Sequence, residues 1–190
     1  MGESRAVALT IAVIAGGVGK RLGGRVKGLL ELDGAPLISR LFALATDGDE
    51  VLVVTNTPEA FARFGHAMVG DLVPGKGAPG GVVTALVTAT TDWVLVVASD
   101  MPFLERAHVA ALLAQAVDGV EVVVATRAGA LEPLCALYRR SLAAQWRDAL
   151  DDDPSLRGLI AGVPHVRVAL PPRALDSLNT PEDLARHGVR

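Results

Sequence analysis

Apolar residues fall in short runs along this chain, and the runs alternate with segments whose apolar positions recur every three or four residues. "ALTIAVIA" (8–15), "EVLVVT" (50–55), "DWVLVVAS" (92–99) and "VEVVVAT" (120–126) are short, rich in β-branched residues and apolar at successive positions. A strand that is apolar on both faces must be covered from both sides, which is what a parallel sheet lined by helices provides. Between these runs, "PLISRLFALA" (36–45), "GGVVTALVTAT" (80–90) and "RAHVAALLAQAV" (106–117) have helical spacing. Pro36 opens the first of them, where a missing N–H removes no helical bond. The alternation predicts an α/β chain: a three-layer sandwich with a mostly parallel sheet and right-handed crossovers.

The pattern changes further on. "EPLCALYRRSLAAQWRDAL" (132–150) reads as a strand running into a helix whose apolar positions include Leu142, Trp146 and Leu150. The acidic run Asp151, Asp152, Asp153 reads as a solvated loop, because three consecutive carboxylates do not converge easily on one ion. Asp153 or Ser155 would cap the helix that follows. A short strand "HVRVAL" (165–170), a Pro-Pro break and a terminal helix at "NTPEDLAR" (179–186) complete the chain. In that helix Thr180 suits the N-cap, Pro181 the first turn, and Glu182 and Asp183 the positive end of the helix dipole. There is no internal repeat, low-complexity tract or long linker, so residues 1–190 are expected to form a single domain.

Composition narrows the function classes. The net charge is −3 and aromatics make up 4% of residues. That removes the electrostatic and stacking basis for extended nucleic-acid binding. The start "MGESRAVALTIAVIAGG" shares an apolar stretch and small residues with secretory leaders. Glu3, the β-branched content and the cationic glycine loop that follows favour a buried first strand instead. No run reaches the roughly 20 apolar residues of a membrane span. The single cysteine, Cys135 in "PLCALY", cannot form an internal disulfide and is expected to be a small buried apolar residue. It suits a reducing, cytoplasmic location. His66, His108, His165 and His187 show no metal-ligand spacing.

The candidate chemistry starts in "AVIAGGVGKRLGGRVKG" (12–28), a glycine-rich loop directly after the first apolar run. A Walker A loop requires G-x-x-x-x-G-K-[ST]. Here Gly19-Lys20 is followed by Arg21, and Ile14 stands where the first glycine belongs. The dinucleotide fingerprint G-x-G-x-x-G would use Gly17 and Gly19 but then meets Leu22. What remains is a long loop carrying Lys20, Arg21, Arg25 and Lys27. Cations of this kind neutralise charge growing on a leaving pyrophosphate, while glycines let the backbone approach phosphate oxygens. A solvated basic loop is the plain alternative, but ligands of open α/β sheets bind at the carboxyl ends of strands, where this loop lies. "VLVVASDMPFL" (94–104) ends another such strand with Asp100. Mg²⁺ typically takes one or two protein carboxylates plus phosphate oxygens, and Asp100 is placed to supply one.

These stretches resemble the molybdenum cofactor guanylyltransferases, whose first loop reads approximately L-A-G-G-x-x-x-R-M-G-G-x-x-K-x-L-L. The resemblance continues in order through "DLVPGKGAPGG" (71–81), "ASDMPFL" (98–104), "EPLCALYRRSL" (132–142), "SLRGLI" (155–160) and "LNTPEDLAR" (178–186), and so covers nearly the whole chain. It implies a Rossmann-like nucleotidyltransferase fold. It also implies transfer of GMP from GTP to the phosphate of molybdopterin, with Mg²⁺ and release of pyrophosphate. By resemblance, Ile14, Ala15, Gly16 and Gly17 lie against the nucleotide, Lys27 contacts phosphates with help from Arg21, and Thr55 or Asn56 contacts nucleotide. Asp71 corresponds to the residue binding guanine or its ribose, and Asp100 to the Mg²⁺ ligand. Asn179, with Ser177 as partner position, belongs near the metal and the pterin. Arg157 is a candidate for the pterin phosphate, a surface arginine being the alternative; Arg139 and Arg140 divide in the same way. The resemblance also leaves room for transient contacts with proteins that deliver molybdopterin or mature molybdoenzymes.

Some positions depart from the family pattern. Leu22 replaces methionine, Val26 stands where an acidic residue is common, "GAPGG" shifts a proline by one place, and Ala98-Ser99 precede Asp100 where proline and cysteine are frequent. Cytidylyltransferases for the same pterin tend to read A-A-G where this chain has Ala15-Gly16-Gly17, which favours GTP. CTP or another phosphorylated acceptor, a sugar-phosphate enzyme, and a non-catalytic nucleotide-binding or molybdopterin-carrier protein are the competing readings.

Overall fold

In the computed structural model, residues 8–16, 18–19 and 25–189 are described. The main-sheet strands are β1 (Leu9–Ile14), β2 (Glu50–Val54), β3 (Ala67–Val69), β4 (Trp93–Ala98), β5 (Val122–Arg127), β6 (Ala130–Arg139) and β7 (His165–Ala169). The helices are α1 (Leu37–Phe42), α2 (Pro58–Phe61), α3 (Gly77–Thr88), α4 (Arg106–Leu113), α5 (Ala143–Ala149), α6 (Leu156–Ala161) and α7 (Pro181–His187).

The alternation of side chains along a strand produces the layering. From β1, Leu9, Ile11 and Val13 enter one core cluster with Ile38 and Leu41 of α1 and Val109 and Leu112 of α4. Ala12 enters a second cluster with Val82, Val83 and Leu86 of α3, Trp146 of α5 and Ile160 of α6. Helices therefore cover both faces of the sheet, as the doubly apolar runs predict. The strands form a seven-stranded sheet in the order β7-β5-β6-β4-β1-β2-β3. Parallel pairing joins β1 to β2 and β4, β2 to β3, and β5 to β7. Only β6 among the described strands of this sheet runs against both of its neighbours. A two-residue turn makes that reversal, with Ala128 at φ 48° and Gly129 at φ 82°, the backbone hand that suits a tight hairpin.

Four local features depart from or refine the expectations. The edge strand β3 and the single-turn α2 were not anticipated. α3 begins at Gly77 rather than at residue 80, so the shifted Pro79 occupies the third helical position. In the first turn amides have no helical acceptor, so the missing N–H there costs no bond. Of the two candidate caps for α6, Ser155 is the one used, accepting from the Gly158 N–H at 3.1 Å. Asp153 is left-handed at φ 53°.

The C-terminal helix is docked by a third cluster, in which Leu178, Leu184 and Val189 pack with Leu30, Leu32 and Leu37. As expected, Thr180 is its N-cap, and Asp183 completes a capping box. This docking carries residues 177–180 back to the centre of the sheet. Among the described residues, no helix is long and apolar enough to cross a membrane.

Candidate functional site

The site is built where three parallel strands end together. Ile14 is in register with Val54 on one side and Ala98 on the other. Backbone bonds continue past the strand ends: the Ala15 N–H reaches the Val54 carbonyl at 2.8 Å and the Ser99 N–H reaches the Ile14 carbonyl at 3.1 Å. Residues 15–16, 55–56 and 99–100 therefore emerge side by side at the carboxyl edge, the usual ligand position in such sheets.

Asp100 is 8% exposed at this edge, and its carbonyl accepts the Leu178 N–H at 2.9 Å. Lys27 approaches from the turn Lys27–Leu29. That approach depends on Gly28, where a Cβ would lie 3.3 Å from Ser99 Cβ and 3.4 Å from the Phe61 ring. The Lys27 Nζ donates to Asp100 Oδ2 at 3.1 Å and also to Asn179 Oδ1. Asn179 in turn donates from Nδ2 to Ser177 Oγ at 2.8 Å. Three residues far apart in sequence thus meet in one half-buried cluster, with an amide fixing the cation and the cation offsetting the carboxylate.

A cleft of about 290 Å³ opens beside the cluster, bordered by Ile14, Gly16, Lys27, Asp71, Asp100 and the first turn of α3. Gly81 lets α3 come this close, since a Cβ there would stand 3.3 Å from Ile14 Cγ2. The N-terminus of α3 has no side-chain cap, leaving amides facing the region where an anion can be held. Asp71 is held by a two-point clasp. Its N–H donates to Asn56 Oδ1 at 2.9 Å, and Asn56 Nδ2 donates to Asp71 Oδ2 at 2.9 Å. Asn56 thus acts on the cleft by orienting Asp71.

Other residues expected at the site have different surroundings. Thr55 is buried, and its hydroxyl donates to the Ala15 carbonyl at 3.4 Å and accepts the Thr57 N–H at 3.2 Å. It ties the strand ends together and does not border the cleft. Arg157 is exposed on α6 and donates to the Leu131 carbonyl at 3.0 Å, which fastens α6 to β6. Arg139 stacks on Trp93 at 4.3 Å, also away from the cluster. Gly17, Lys20 and Arg21 lie outside the described residues.

Leu134 borders the cleft without having been anticipated there. It does so through a register irregularity between Glu132 and Ala136 that contains Pro133. A proline inside a strand-like run signals such a bulge. Cys135 follows it, fully buried opposite Val97 as expected, and burial pushes its thiol up to about 12.

As a metal site the cluster offers one carboxylate: among the described residues, Asp100 Oδ1 has no hydrogen-bond partner and no group of three or more His, Cys, Asp or Glu side chains converges there. That donor set fits Mg²⁺, which relies on few protein ligands when phosphates supply the others, and does not fit a structural zinc site.

The similarities of the chain agree with this geometry. A Pseudomonas aeruginosa protein named molybdenum cofactor guanylyltransferase is 34% identical over 197 residues, covering 98% of both chains. A Clostridium perfringens protein named probable molybdenum cofactor guanylyltransferase is 32% identical over 130 residues, 68% of this chain and 65% of its own length. The match thus spans just under two thirds of that relative. The solved structure of molybdopterin-guanine dinucleotide biosynthesis protein A from Archaeoglobus fulgidus superposes with a TM-score of 0.79 at 23% identity, covering 94% of this chain and 96% of the other. The 2-C-methyl-D-erythritol 4-phosphate cytidylyltransferase of Thermus thermophilus has the same fold, with a TM-score of 0.68 at 19% identity and coverage of 93% and 95%. A family model matches residues 11–168, and the chain belongs to the MobA-like NTP transferase domain family.

Proposed function

We propose that the protein transfers GMP from GTP to the phosphate of molybdopterin, forming the guanine dinucleotide cofactor and pyrophosphate, with Mg²⁺ as its metal. The observation that carries this reading is the convergence of Lys27, Asp100 and Asn179 beside a cleft at the carboxyl edge of the sheet. In the reaction, an acceptor phosphate oxygen forms a bond to the α-phosphorus. The bond from that phosphorus to its β-bridging oxygen breaks, and the electron pair leaves with pyrophosphate. A phosphate nucleophile is already ionised near neutral pH, so the step needs no general base.

The work left to the chain is positioning and charge stabilisation. Lys27 offers an ammonium at the point where phosphate charge accumulates, and Asn179 fixes its direction. Asp100 Oδ1 would hold the Mg²⁺, which when bound supplies a Lewis acid for phosphate oxygens. Asp71, held by Asn56, borders the cleft as an acceptor for the N–H donors of a base or the hydroxyls of a ribose. Gly16 leaves the backbone open, with nothing within 4 Å of where a Cβ would be. A base or phosphate can therefore lie directly on the chain there.

Calorimetric titration with GTP, ATP and CTP in Mg²⁺ tests the nucleotide, and GTP is expected to bind most tightly. Equal or stronger binding of CTP would move the assignment to a cytidylyltransferase. The acceptor is tested by dinucleotide and pyrophosphate formation with molybdopterin; GTP binding without turnover would favour a carrier.

A further inference from the structure

Strand β6 breaks its ladder where it passes the cleft. It pairs with β5 as Glu132 with Ala125 and again as Ala136 with Val124, so residues 133–135 of β6 face no residue of β5. Pairing with β4 starts at Cys135, opposite Val97. Pro133 and Leu134 thus lie outside both ladders, and proline brings no N–H with which to rejoin them. The side chain of Leu134 packs against the core cluster on the α3 face and borders the cleft with Ala98, Ser99 and Asp100. In the sheet, β4, which leads into Asp100, lies between β1 and β6. The two large apolar side chains at the cleft, Ile14 and Leu134, therefore come from the strands on either side of Asp100.

The residues of a bulge are left without ladder partners, so other groups must hold them. Here the Tyr138 hydroxyl donates to the Pro133 carbonyl at 2.6 Å. Tyr138 is fully buried in the same core cluster that Leu134 packs against, its ring edge-on to Trp146 of α5 with centroids 5.4 Å apart. Burial first, and the charge of Cys135 second, push its phenol above the ordinary value, so it stays a neutral donor. No step of the proposed transfer uses this group. Phenylalanine would fill the same core space with no polar atom to satisfy, so the contribution of the hydroxyl lies in the bond it makes.

We infer that Tyr138 is a positioning residue for nucleotide binding: its hydroxyl fixes the bulge at Pro133 and so holds Leu134 as an apolar wall of the cleft beside Asp100. The inference rests on the cleft being the nucleotide site of the proposed transfer. Tyr138 does not border the cleft and acts through Leu134. A wall held in place gives the apolar surface of a nucleotide a fixed place to lie and keeps water from it. That contact is made alike before and during reaction. Its loss therefore lowers affinity and leaves the rate of the bound complex nearly unchanged.

Wild-type protein, Tyr138→Phe, Leu134→Ala and the double variant are titrated with GTP in Mg²⁺, and kcat and KM are measured for each. Thermal unfolding records stability separately, and all binding is read at a temperature where the variants are folded. The expected result is GTP affinity weakened about three- to tenfold in Tyr138→Phe, with KM raised to match and kcat nearly unchanged. Leu134→Ala should weaken GTP similarly, and the double variant should be little worse than the weaker single one, because both changes act through one wall. A lower unfolding temperature with unchanged GTP affinity and KM in Tyr138→Phe would make the hydroxyl purely structural and overturn the inference. Additive losses would also overturn it, since Tyr138 would then act other than through Leu134. Leu134→Ala leaves the hydroxyl in place and keeps the test decisive should Tyr138→Phe not fold: unchanged GTP affinity there removes the wall from nucleotide binding. Wild-type protein that binds none of GTP, ATP or CTP would remove the proposed reaction and this inference with it, whereas the outcomes above leave that reaction standing.

Discussion

Asp100 and Lys27 are the residues on which the proposed chemistry depends most directly. Asp100→Asn keeps the shape but removes the charge that would hold Mg²⁺ and balance Lys27. Turnover should fall on the order of 10²-fold or more, as when a group supporting transition-state charge is lost. The unfolding temperature should change little, and near-normal turnover at limiting Mg²⁺ would assign the metal elsewhere. Lys27→Ala should weaken nucleotide binding and slow pyrophosphate release, whereas Arg25→Ala should do much less. Lys27 is half-buried and fixed by two partners, while Arg25 is exposed and its attraction is screened by salt. Equal losses with one shared salt dependence would reduce both to diffuse attraction. Cys135 gives a check on packing. Burial first, and the charge of Glu132 second, push its thiol up to about 12, so little thiolate exists near pH 8. Iodoacetamide should therefore leave the native protein essentially unlabelled and react only once denaturant opens the sheet.

At the scale of elements, α7 links a local capping motif to the site. Thr180 accepts the Asp183 N–H at 3.2 Å, and the carboxylate of Asp183 returns to the N–H groups of Asn179 and Thr180. Thr180→Ala should cost about 1 kcal/mol by loss of the cap, read as a fall in denaturation midpoint. It should also loosen Asn179, read as weaker nucleotide binding. The same motif predicts an acid sensitivity. Hydrogen bonds from Asn179 first, and from Thr180 next, hold the Asp183 carboxyl below its ordinary value. A depressed carboxyl adds stability that is complete above the unfolded value of about 4 and is lost as pH falls through the folded one. Amide protection in α7 should thus be level above about pH 5 and decline below about pH 4, a decline absent in Asp183→Asn. The N-cap Thr180 was readable in "NTPEDLAR" because capping depends on residues close in the chain, whereas the reciprocal bond from Asp183 is a feature of the folded helix. The strand β3 was not readable, because one exposed and two half-exposed residues are made into a strand only by pairing with β2.

For the whole molecule, two core clusters on opposite faces of one sheet make the site a rigid edge. Leu95, fully buried between Ile11 and Leu137 in the sheet, stands for this framework. Leu95→Ala should cost about 2–5 kcal/mol by lost transfer and a residual cavity. Chemical denaturation should show a lower midpoint with an unchanged slope, the mark of altered stability without a new intermediate.

The sequence alone determined the α/β class, the four doubly apolar strands, the capped terminal helix and the nucleotidyl-transfer resemblance. Each depends on residues near one another in the chain or on motifs in fixed order. Which residues border the cleft was decided only by tertiary structure. Thr55 and Arg157 were equally plausible ligands as letters, yet one hydroxyl is taken up by the backbone of Ala15 and Thr57 and one guanidinium by a carbonyl of β6. Arg127 carried no signal, because its significance lies in a partnership with Asp176 and Leu175 across the fold. Local periodicity records what a segment must bury, whereas the direction of a polar side chain is set by groups that arrive from distant segments once the sheet has closed.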